Sequence, residues 1–130
     1  MPDDVTRVPN NSGVLRRIVP MLLRADPQTG RRRLMSGAFK DPEMSVDGEA
    51  MMAAAAVDWK FSLRHWPDAF LVRINAGFLR TKAQTIESKP NPPDQKDNPY
   101  HCEVIGKKSG NTPRAIRDSI QWVKQPPDLA

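Results

Sequence analysis

The chain has 130 residues but only one cysteine, Cys102, so no disulfide can form within it. A lone thiol fits a reducing compartment, and the cytoplasm is the expected address. No apolar run approaches the ~20 residues a membrane helix needs. The opening MPDDVTRVPNNSG is polar and acidic, without the charged-then-apolar layout of a secretory leader. Histidine is scarce as well: His65 and His101 with Cys102 show none of the paired spacings that hold zinc, so no metal and no cofactor are expected. Aromatics make up 6% of the chain, and neither an RNP-type nor a helix-turn-helix pattern appears, which disfavours sequence-specific reading of DNA.

Proline and positive charge are plentiful. There are 13 prolines, and the apolar share is only 38%, so much of the chain is expected to be loop. Lys and Arg outnumber Asp and Glu by 20 to 15, a formal charge of +5, which favours anionic partners such as nucleic acid or an acidic protein.

Residues 1–13 lack apolar periodicity and read as a flexible lead-in, followed by one domain over 14–124 and a tail over 125–130. Strands are expected at 14–19, 34–39, 69–80 and 100–105. Val14 to Val19 is apolar around Arg16 and Arg17 and must end or bend before Pro20. Phe70, Val72 and Ile74 alternate with Arg73 and Asn75. Asp26-Pro27-Gln28-Thr29-Gly30 is a turn, since proline presets φ and glycine tolerates positive φ. Helices are expected at 48–58, rich in alanine behind Glu49, and at 113–124, where Thr112 is a good N-cap, Pro113 fits the first turn, and Ile116, Ile120 and Val123 form an apolar stripe. Residues 89–99 form a long proline-rich loop. The elements do not alternate strictly, so the fold class is α+β, a mostly antiparallel sheet of about four strands packed by two helices.

Three groups of residues carry candidate chemistry. His101 shares a strand face with Glu103, which suits a general acid/base pair. Lys107, Lys108, Ser109, Gly110 and Thr112 lie between a strand and a helix start, where free amides and ammonium groups can hold an anion, although the Walker order is absent. Arg31, Arg32 and Arg33, with Arg16, Arg17 and Arg24 nearby in sequence, can form a basic patch for phosphate.

The segments Leu15-Arg16-Arg17-Ile18, Ser36-Gly37-Ala38-Phe39, Met44-Ser45-Val46-Asp47, Asn98-Pro99-Tyr100-His101 and Gly106-Lys107-Lys108 together resemble a family of small, uncharacterised bacterial proteins. The resemblance spans most of residues 15–124. It implies a bacterial, stand-alone protein and transfers no catalytic role. The leading expectation is a small binding or accessory protein acting through a basic surface on a polyanion or acidic partner. Two alternatives stand beside it: an enzyme on a phosphorylated or nucleotide substrate with His101 as acid/base, and an interaction regulator or antidote without a site.

Overall fold

In the computed structural model, which describes residues 3–130, strand β1 (Gly13–Ile18) is a central strand of a six-stranded antiparallel sheet. It alternates as its sequence demands, with Val14, Arg16 and Ile18 on one face and Leu15 and Arg17 on the other. β1 pairs with β5 (Phe70–Asn75), setting Val14 against Ile74 and Ile18 against Phe70. On its other side lies β4 (Glu43–Gly48), then β7 (His101–Ile105) and β6 (Thr85–Ser88). β8 (Gln121–Lys124) closes the opposite edge beside β5. A separate two-stranded hairpin joins β2 (Leu23–Ala25) to β3 (Arg32–Leu34).

The first face of the sheet carries the larger core: Val14, Ile18, Met44, Val46, Val72, Ile74, Cys102 and Val104 are all buried there. It is covered by helix α3 (Thr112–Ser119) through Ile116 and by the 3-10 turn Ser36–Phe39 through Ala38 and Phe39. On the second face Leu15 and Leu71 pack with Met52 of helix α1 (Glu49–Ala54) and Leu63 of the 3-10 turn Trp59–Leu63.

The α+β class and the mostly antiparallel sheet hold, but the sheet has six strands with a further two-stranded one, not about four. β4 and β6 account for much of the difference. In β4, Met44 and Val46 alternate with Ser45 and Asp47, yet only six residues separate Pro42 from the next helix, and the helix signal hides them. The expected strand over 34–39 stops at Leu34 and turns 3-10. The expected strand over 69–80 ends at Asn75, whose Oδ1 accepts from Phe78 N at 2.8 Å and so starts helix α2 (Ala76–Thr81). Helix 48–58 closes at Ala54, before Ala56 takes φ 58°. Helix 113–124 ends at Ser119, whose hydroxyl bonds back to Ile116 O, and the following residues join the sheet as β8.

The ends of the chain also pack onto the domain. Asp3 accepts from Arg80 at 2.7 and 2.9 Å, and Val8, inside the expected lead-in, is fully buried. In the expected tail, Asp128 pairs with Arg32, and Ala130 N donates to Arg32 O. Met1 and Pro2 lie outside the described residues.

Candidate functional site

The β4–β7 register sets Asp47 opposite His101 and Ser45 opposite Glu103. His101 is 2% exposed, with Nδ1 3.0 Å from Lys89 O. Its carboxylate neighbour is therefore Asp47 across the ladder, while Glu103 pairs with Lys89 at 2.9 Å. Asp47 is itself 4% exposed and fully engaged, accepting from Ser62 Oγ at 2.6 Å and from Asn98 Nδ2 at 2.7 Å. Arg17 adds positive charge beside this carboxylate and lies over the Trp66 ring at 3.3 Å. The cavity lined by Arg17, Asp47, Ser62, Gln95 and His101 holds only ≈ 10 Å³, about the space of one water. This nest ties the proline-rich loop, through Asn98 and Gln95, and the 3-10 turn, through Ser62, to the sheet. Cys102, on the opposite face, is buried, and burial with Asp47 nearby pushes its thiol up to about 12, far from a nucleophile's range.

The Gly106–Thr112 turn divides its lysines. Gly106 has φ 156°, and a Cβ there would sit 2.8 Å from Gln84 Oε1, so the turn needs glycine. Lys107 is exposed, but Lys108 is only 8% exposed and donates to Val104 O at 2.8 Å and Gly106 O at 3.2 Å. Ser109 and Gly110 are exposed, and Thr112 is the first residue of α3 behind Asn111, which makes no side-chain cap. One of the two expected ammonium groups is thus turned into the fold. Burial lowers the Lys108 pKa to about 8, opposed by Asp41 and assisted by Arg16. The unfolded chain holds that proton up to the ordinary 10.5, so it binds more protons than the folded chain between those values. Stability should therefore rise with pH across that window. Chemical denaturation of wild type and Lys108→Met at several alkaline pH values checks this: the wild-type rise should flatten in the variant, and equal slopes would contradict it.

The arginines expected to form one patch go to separate places. Arg16 turns into the first face and donates to Ser45 O and Ala38 O, and burial lowers its pKa. Arg17 sits on the second face, and Arg32 is held by Asp128 at 2.8 and 2.9 Å. Arg31 and Arg33 are exposed.

Arg33 belongs to a different constellation. Its hairpin closes through Asp26, whose N donates to Arg31 O at 2.7 Å and whose carboxylate accepts from Gln28 N at 2.8 Å, with Gly30 at φ 71°. That turn sets Leu23 against Leu34, both buried, and Arg24 directly against Arg33, both exposed. Arg24 and Arg33 line a groove of ≈ 630 Å³ together with Ser36 and Gly37, with Arg117 and Asp118 of α3, and with Ile120 and Trp122. Arg117 pairs with its neighbour Asp118 at 3.1 Å. Among the described residues, neither Arg24 nor Arg33 has a carboxylate at ion-pair distance.

Sequence reasoning missed Arg117 and Trp122, which are remote from the arginine run. Arg24 was expected near the arginine run, and a signal for its pairing with Arg33 was present: Leu-Arg before the turn and Arg-Leu after it mirror each other about residues 26–30, the pattern of a hairpin with one apolar and one charged side. Among the described residues no group of three or more His, Cys, Asp or Glu is placed to hold a metal ion, and no helix is long and apolar enough to cross a membrane. The chain matches no protein-family model, no curated protein and no solved structure.

Proposed function

We propose that this chain is a binding protein that takes an anionic partner in the groove between the β2–β3 hairpin and α3. The observation that supports this most is the Arg24–Arg33 pair. Like charges directly opposed on a ladder cost stability, and among the described residues no carboxylate lies at ion-pair distance from either arginine. A phosphate or carboxylate seated between the two guanidiniums would relieve the repulsion, because arginine forks match such oxygens in pairs. Three guanidiniums, of Arg24, Arg33 and Arg117, line the groove with a single carboxylate side chain, that of Asp118. The His101 nest favours binding over catalysis for the opposite reason: its cavity has room for a water but not for a substrate.

The test is anisotropy of labelled single- and double-stranded oligonucleotides, with heparin as a non-nucleic competitor, at two salt concentrations. Wild type should bind at low salt and weaken as salt rises, because each neutralised phosphate releases counterions. Arg24→Ala with Arg33→Ala should reduce the slope of log K on log salt by about 0.7–0.9 for each phosphate that the variant no longer neutralises. The same double change should leave the Tm unchanged or slightly higher, since it removes a repulsion. No binding at low salt, or an unaltered slope in the variant, would overturn the proposal.

A further inference from the structure

We infer that the groove's occupant is a nucleoside phosphate, with its phosphate between Arg24 and Arg33 and its base against Trp122; this rests on the groove being an anion site. The groove is not uniformly charged. Beside the two hairpin arginines, its lining includes Ile120 and Trp122, which present apolar surface. Trp122 is half-buried and packs against the first-face core, so one part of the indole is fixed while another part lines the groove. A chain of phosphates or sulfates would use only the arginines. A base has a π-face for an indole to stack on, whatever its identity.

Asp118 points the same way. A carboxylate in a cationic groove repels a purely anionic ligand, but it is an acceptor for the hydroxyls of a ribose. Asp118 is 68% exposed at its side chain, lines the groove and is steadied by Arg117 at 3.1 Å. Arginines, carboxylate and indole are the chemical complements of phosphate, sugar and base. The groove's ≈ 630 Å³ also suits such a unit, since small-molecule sites run from about 300 to 1,000 Å³.

The experiment is calorimetric titration of the full chain with ADP, AMP, ribose 5-phosphate and pyrophosphate. ADP and AMP should bind roughly tenfold or more tightly than ribose 5-phosphate, the increment that stacking supplies. Trp122→Leu should bring AMP down to the ribose 5-phosphate level, and Trp122→Phe should restore part of the difference. Because the first comparison uses wild type alone, a poorly folding variant does not blunt it. Comparing AMP with a 5′-phosphorylated dinucleotide tells a free nucleotide from a strand end, and tighter binding of either keeps the proposal. If pyrophosphate and ribose 5-phosphate match the nucleotides, the base is not read: this inference falls while the anion groove stands. If none of the four ligands binds and heparin fails too, the groove reading falls with it.

Discussion

Asp47→Ala should lower the free energy of unfolding by about 3 kcal/mol, because the change strands two buried donors at once. Ser62 Oγ and Asn98 Nδ2 each donate to this carboxylate, at 2.6 and 2.7 Å, in a region where Ser62 is 1% and Asn98 0% exposed. Neither can turn to solvent, and an unsatisfied buried polar group costs roughly 1–3 kcal/mol. Arg17, whose charge Asp47 balances, would lose that partner as well. Asp47→Asn keeps one acceptor oxygen and so should fall between wild type and alanine. Urea denaturation of the three proteins measures the series. A midpoint for Asp47→Ala equal to wild type would show that the nest does not hold the loop and the 3-10 turn to the sheet. Amide exchange should speed up in residues 91–98 as a companion effect, since the loop is anchored there through Asn98.

Ile116→Ala should cost about 2–5 kcal/mol, the range for deleting a fully buried aliphatic side chain. Ile116 is 0% exposed beneath α3, at the centre of the cover over the first face. Ile120 is only partly buried at the helix's end, and Val123 packs into the separate cluster on the second face. Truncating either should therefore cost less than truncating Ile116. A helix running to residue 124 would have presented all three to one core at comparable cost. Equal losses at positions 116, 120 and 123 would contradict the strand assignment of β8.

These positions also show what the sequence could and could not say. The alternation of Phe70, Val72 and Ile74 was legible, as was the break before Pro20, because both follow from local sterics and period. The end of α3 was not: Ile116, Ile120 and Val123 satisfy a helical spacing, and only the open edge of β5 draws Trp122 into a strand. The class of the fold was legible, but the strand count fell short because β4 and β6 are short and bordered by helix or turn signals.

The candidate site was harder still. Asp47 and His101 are 54 residues apart in the sequence numbering, and nothing local says that the β4–β7 register will oppose them. Lys107 and Lys108 look alike in sequence, yet one is exposed and the other bonds to the end of β7. The arginine run has the same difficulty. Period two sends Arg33 outward opposite Arg24 and leaves Arg32 to Asp128, while Arg117 and Trp122 arrive from the far end of the chain.

The most direct measurement of the central claim is a residue-by-residue map of where an anion binds. Titrating the isotopically labelled protein with a short polyphosphate and following backbone amides should shift residues 24, 33–37 and 117–118. The shifts should saturate together and vanish in Arg24→Ala with Arg33→Ala. Shifts confined to residues 106–112 or to the surroundings of His101, or none at all at low salt, would contradict the account.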